Sequence, residues 1–202
     1  MLEELKAAVE QHEGKFFILD TETTGLHDGE ICQIAIIDET RKVWFNNFVK
    51  TKDSIPGDAT LIHGITDAMV AEAPTWYDIA ETIQNFLKGH LVIIYNAVYD
   101  RKMMHKSAER WDMPRYDWKE YSTFICAMEV FAEYCGDWSD YHQSYKWKTL
   151  SFATTYCGYS VLDAHHALGD CQMTLTVVNH MLGKEQPQNN DAINLSDLFI
   201  GD

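Results

Sequence analysis

Asp20-Thr21-Glu22-Thr23-Thr24-Gly25-Leu26 follows directly on an apolar run of Phe16, Phe17, Ile18 and Leu19. Such a run, ending in turn-prone residues, reads as a strand over residues 16–19. Side chains alternate along a strand, so Asp20 and Glu22 share one face, a few ångströms apart. Two carboxylates so placed repel, and a bound cation relieves the repulsion. The alternative for these seven residues is a solvated strand end followed by a glycine turn.

Outward from this stretch, residues 32–37 and 43–49 are further apolar, β-branched or aromatic runs. Their short links predict an antiparallel meander with the first strand. Upstream, Leu2, Leu5, Val9 and His12 recur at helical spacing, so residues 2–12 predict a short amphipathic helix on the domain surface, ended by Gly14. Downstream, Met69, Val70, Ala73, Ile79, Ile83, Phe86 and Leu87 predict a helix from Thr66 that Gly89 stops. The fully apolar run at 91–95 then reads as a buried strand, and a helix feeding such a strand implies a parallel crossover. Helices are further predicted around 100–111, 147–156 and 166–182. Together these elements predict an α/β fold with a mixed sheet.

Two more acidic segments follow. Asn96-Ala97-Val98-Tyr99-Asp100 sits at the end of the buried strand, where α/β sheets gather ligands. An Asp near a helix start is equally a capping residue. His165-His166-Ala167-Leu168-Gly169-Asp170 leads into the last core helix. Five helical residues rotate by roughly 140°, so His165 is placed on the preceding loop, reaching over a site that Asp170 approaches from the helix. A pair of exposed histidines before a helix is the alternative. The combination is more telling than any one segment: four carboxylates at strand ends and helix starts offer hard oxygen ligands suited to Mg²⁺ or Mn²⁺, not zinc.

Composition bounds the class. With 46% hydrophobic and 23% charged residues the chain is an ordinary globular one. Its longest apolar runs fall far short of the roughly 18 residues of a membrane span. The acidic start carries no secretory signal pattern, so a cytoplasmic protein is expected. Five cysteines with no C-x-x-C pair predict reduced, mostly buried thiols. The formal charge of −15, from 16 basic and 31 acidic residues, disfavours nonspecific binding to a polyanion.

The three motifs nevertheless resemble those of the DEDDh 3′-to-5′ exonucleases, the group of the polymerase III epsilon proofreading subunit, exonuclease X and the Trex enzymes. Residues 62–66, Ile-His-Gly-Ile-Thr, resemble the segment between the family's first two motifs, and residues 122–130 its strand and helix after the second. A sister group has Tyr four residues before the final Asp; His166 stands there, and the five-residue spacing selects His165 as the catalytic histidine. The resemblance implies a ribonuclease H-like fold, a five-stranded mixed sheet flanked by helices. It implies two Mg²⁺ or Mn²⁺ ions held by Asp20, Glu22, Asp100 and Asp170, with Asp20 bridging, and His165 as general base releasing nucleoside 5′-monophosphates. Thr23 would meet the terminal 3′ hydroxyl, Leu26 would wedge against the last base, and His63, Asn96 and Tyr99 would line the nucleotide pocket. DNA 3′ ends, single-stranded by preference, are the expected substrate. An RNA exonuclease or oligoribonuclease-like enzyme, or a noncatalytic binding module, are the alternatives.

The expected organisation is an N-terminal helix at 1–13, an exonuclease domain at 14–183 and a linker with tail at 184–202. Three further features stand out. Arg101, Lys102, Lys106, Arg110, Arg115 and Lys119 concentrate charge beside Asp100, as a rim for phosphates or as a solvated helix face. Trp138, Tyr141, Tyr145 and Trp147, interleaved with Lys146 and Lys148, read as local packing before base stacking. The tail's Leu195, Leu198 and Phe199 faintly resemble the peptides that bind sliding clamps. So acidic a body is expected to grip only the last few nucleotides and to act distributively.

Overall fold

The computed structural model describes residues 1–161 and 165–184. The tail and its clamp-like segment lie outside the described residues.

The chain runs α1 (Leu2–Gln11), β1 (Phe17–Thr23), β2 (Ile31–Asp38), β3 (Val43–Phe48), α2 (Gly57–His63), α3 (Asp67–Val70), α4 (Trp76–Leu87), β4 (Leu91–Ile94) and α5 (Ala97–Arg110). It continues through α6 (Trp118–Tyr121), β5 (Thr123–Cys126), α7 (Ala127–Cys135), the short strands β6 (Trp138–Ser139) and β7 (Ser144–Tyr145), α8 (Leu150–Tyr156) and α9 (Ala167–Met181). Five strands form one sheet in the order β3-β2-β1-β4-β5. The first three pair antiparallel, while β4 is parallel to β1 and β5 to β4. This is the mixed five-stranded sheet flanked by helices that the motifs implied.

Strand β1 sorts its residues between two layers. Ile18 packs with Cys171, Leu175 and Val178 of α9, whereas Leu19 packs with Ala97, Met103 and Met104 of α5. The period of two extends through the motif, so Asp20 and Glu22 follow Ile18 towards α9, and Thr21 and Thr23 follow Leu19 towards α5. The cysteine thiol of Cys171 donates to the carbonyls of Ile18 and Ala35, fastening α9 onto β1 and β2.

Several expectations needed correction. Strand β1 does not stop at Leu19 but continues through Thr23, because β2 supplies partners as far as Ile31; the first four residues of the first motif are therefore strand, with a register shift between Glu22 and Thr23 that bends its end. The helix expected from Thr66 is two helices, because Pro74 lacks an amide donor and Thr75 then starts α4 with a reciprocal cap to Asp78. Helix α2 was not anticipated; its seven residues end at Gly64, whose φ of 72° suits glycine. The helix expected at 147–156 starts only at Leu150, after the Thr149 cap, and that expected at 100–111 begins earlier, at Ala97. Helix α1 is no surface appendage: Leu5 is fully buried in the same core as α7 and α9, and Glu133 accepts from the Leu2 amide.

The aromatic-rich segment is a β6–β7 hairpin in which Trp138 meets Tyr145 edge to face and Lys146 and Lys148 both pair with Asp137. Its cations are committed locally, but the expected packing holds only for the Trp138–Tyr145 pair: Tyr141 and Trp147 are 89% and 68% exposed, because the two-residue strands are too short to cover them. All five cysteines are free, with Cys32, Cys157 and Cys171 buried. Among the described residues no helix is long and apolar enough to cross a membrane.

Candidate active site

One oxygen each of Asp20, Glu22 and Asp170 comes within 4.8 Å of the other two. Two arrive from consecutive same-face positions of β1, and the third from the first turn of α9. The start of α9 is set by Gln33, which faces Glu22 across the β1–β2 ladder and whose side-chain carbonyl accepts from the Ala167 amide at 3.3 Å. Cross-strand pairing thus transfers the register of the sheet to Asp170.

Asp100 approaches from the opposite layer. It is 3% exposed and accepts a 2.8 Å hydrogen bond from the Thr21 hydroxyl. This bond explains why a strand residue pointing away from Asp20 still belongs to the site. Its neighbour Thr23 shares a 2.5 Å hydrogen bond with the Tyr99 hydroxyl, and Tyr99 also donates to the Gly25 carbonyl at 3.3 Å. The loop closes behind them so tightly that a Cβ on Gly29 would lie 2.3 Å from the Gly25 carbonyl oxygen, which only glycine avoids.

The electrostatics are those of crowded, buried acids. Burial, followed by repulsion from Asp100, Asp170 and Glu22, holds the Asp20 carboxyl well above its ordinary range. Burial and repulsion from Asp170 and Asp100 push Glu22 up to about 8. Burial also raises Asp100, against the opposing pull of the Thr21 hydroxyl, and raises Asp170, against the backbone amide and charge of His165. A cluster that resists ionisation in this way, with oxygen donors converging, fits a hard divalent cation: the ion supplies the charge that water and neighbours do not.

His165 is exposed on the turn before α9, with φ of 73°, and its amide donates to Asp170 at 3.3 Å. His166 is the cap residue of the helix. The loop placement expected for His165 therefore holds.

Beside the carboxylates opens a cavity of about 460 Å³, lined by Glu22, Thr23, Leu26, Ile62, His63 and Tyr99 with their neighbours. Leu26 and Ile62 stand at its mouth, 71% and 60% exposed. His63 is buried, accepts from the Ile65 amide at Nδ1, and is held below its ordinary pKa first by burial. Asn96 does not line this cavity; it is exposed at the N-cap of α5 without a side-chain capping bond. Thr21, Gln33 and Ile62 are the residues that reading the sequence did not single out. Thr21 sits inside the first motif, but nothing local signals a partner 79 positions away.

The sequence profile of the RNase T family, described as exonuclease, matches residues 17–178. The chain belongs to this family. Among curated relatives, an uncharacterized exonuclease, CP81 of Escherichia phage 186, is 41% identical over 167 residues, covering 80% of this chain and 84% of the phage protein. The epsilon subunit of DNA polymerase III from Treponema pallidum is 27% identical over 192 residues, covering 93% of this chain and 85% of its own. Solved nuclease structures share the fold. Cell-death related nuclease 4 superposes with a TM-score of 0.67 at 18% identity, covering 84% of this chain and 64% of the nuclease. Exonuclease X in complex with 5′ overhanging duplex DNA gives 0.61 at 24% identity, covering 85% and 94%. The sheet order and these likenesses make the fold ribonuclease H-like.

Proposed function

We propose that this RNase T-family exonuclease removes nucleotides from the 3′ ends of DNA, preferably single-stranded, releasing nucleoside 5′-monophosphates. The observation that carries the reading is the convergence of Asp20, Glu22 and Asp170 within 4.8 Å, with buried Asp100 behind them.

Asp20, Glu22, Asp100 and Asp170 would together hold two Mg²⁺ or Mn²⁺ ions. Such ions, when bound, activate water and stabilise the leaving oxygen of an in-line displacement at phosphorus. The chain's own residues do the rest. The exposed His165, whose backbone amide donates to Asp170, would take the proton of the attacking water, a role suited to an imidazole near neutral pH. The paired hydroxyls of Thr23 and Tyr99 present polar atoms to the terminal sugar, while Leu26 packs against the last base. His63 shapes the wall of the pocket, and Asn96, outside it at the N-cap of α5, is left without a role in this reading. The exonuclease unit spans residues 14–183 in this reading, and α1 completes its core.

Shortening of a 5′-labelled oligonucleotide in Mg²⁺ or Mn²⁺, one nucleotide at a time, is the expected result, abolished in Asp20→Ala and Asp170→Ala. Activity persisting in both variants would overturn the assignment. Matched DNA and RNA oligomers assayed side by side decide the sugar. The likeness to epsilon subunits supports a partnership with a polymerase; co-purification of the full chain with its host's polymerase tests it.

A further inference from the structure

A second cavity, of about 470 Å³, lies along the outer side of α5. Arg101, Lys102 and Lys106 line it from the helix and Arg115 and Lys119 from the segment that follows, against the carboxylates of Glu109 and Asp117. Five cations against two acids is a local reversal in a chain with 16 basic and 31 acidic residues.

The structure also separates these cations from others nearby. Arg110 is tied to Asp53 at 2.6 Å and to Asp28, and lies outside the groove. Lys106 is shared between Asp28 and Glu109, at 3.4 and 3.2 Å. Lys102, Arg115 and Lys119 are exposed and form no ion pair among the described residues. A concave surface with uncompensated like charges focuses a positive potential. The groove runs from Val98, two residues before Asp100, to Glu109, about 16 Å at 1.5 Å per helical residue. A stacked strand places a phosphate about every 3.4 Å, so this length spans roughly five phosphates.

We propose that this groove is a track for the phosphate backbone of the substrate strand, engaging it 5′ of the nucleotides held at the carboxylates. The proposal rests on the exonuclease reading above. It gives an acidic protein a local hold on a polyanion, and it makes that hold depend on substrate length and on salt.

The test uses the full chain with Lys102, Arg115 and Lys119 replaced together by Gln. Binding of a fluorescent single-stranded DNA of about 20 nucleotides is measured by anisotropy in EDTA, across a salt series. The triple variant is expected to bind about tenfold more weakly at low salt. Its log K against log salt should be shallower by about 2, at roughly 0.7 per single-strand phosphate contact. Hydrolysis of a mononucleotide p-nitrophenyl ester in Mg²⁺, too short to reach the groove, should be unchanged and reports intact folding. Equal affinity and equal slope in variant and wild type would overturn the track and leave the groove to an acidic protein partner. Failure of the wild type to hydrolyse the ester would strike the exonuclease reading instead, while the anisotropy arm still decides the groove.

Discussion

Helix α5 carries like charges in two opposite settings, one residue apart. Asp100, on its inner side, is 3% exposed and repels the carboxylates of Asp20 and Glu22, while Arg101 and Lys102 open onto the groove outside. The acids are crowded where water is scarce, so their ionisation is suppressed. The cations are spread along a solvated surface, and Lys102, Arg115 and Lys119 need no such accommodation. The difference lies in the cost of desolvation: repulsion inside must be answered by a bound ion, whereas repulsion outside is screened by water and salt. The inner cluster is therefore expected to control chemistry, and the outer one only how firmly a long strand is held.

Exchange of Asp170 for Asn tests this division most severely. Losing several kcal/mol of charge stabilisation, at about 1.4 kcal/mol per decade, should lower kcat by roughly 10³-fold or more on any substrate length. A comparable kcat loss in Lys102→Gln would erase the distinction between the two regions. Next in size is Thr21→Val, which leaves the buried Asp100 carboxylate without its hydroxyl donor. Activity should fall by roughly 10- to 100-fold and stability by about 1–3 kcal/mol, measured by turnover and urea unfolding; an unperturbed enzyme would remove Thr21 from the site.

The pH dependence of the metal-free protein sharpens the contrast further. Glu22 titrates at about 8 in the folded chain and near 4.5 when unfolded, so the native state retains a proton that the unfolded state releases. Stability in EDTA should accordingly decline by about 2–4 kcal/mol as pH rises from roughly 4.5 to 8. Added Mg²⁺ should restore it, and Glu22→Gln should flatten the decline. A thermal midpoint in EDTA that rises across this window would contradict the crowding. The smallest effect is expected at the β6–β7 hairpin: Trp147→Ala, at a 68% exposed position, should change activity less than twofold and stability by about 0.5 kcal/mol or less. A large loss there would mean the aromatics touch substrate after all.

Much of this organisation was legible in the chain. The apolar runs at 16–19 and 91–95 located the central strands, and period-two alternation put Asp20 and Glu22 on one face, as found. The turn-prone sequence after Leu19 concealed the continuation of β1, since β2 supplies the ladder and only pairing reveals it. Seven residues of α2 give too short a periodic signal to separate from loop, yet α2 delivers Ile62 and His63 to the cavity. The cluster at 101–119 looked like one basic rim; folding divides it, because Asp28 and Asp53 come back to neutralise part of it.

By itself the sequence determined which residue types stand at strand ends and helix starts, and hence that hard-ligand carboxylates would gather at one end of a mixed sheet. Backbone periodicity is local, so it assigns faces without knowledge of distant partners. Only the tertiary structure decided that Thr21 holds Asp100, that Gln33 sets the start of α9, and which cations remain unpaired. Those outcomes depend on contacts between residues 57 to 134 positions apart, fixed by packing across the sheet and invisible to any local pattern.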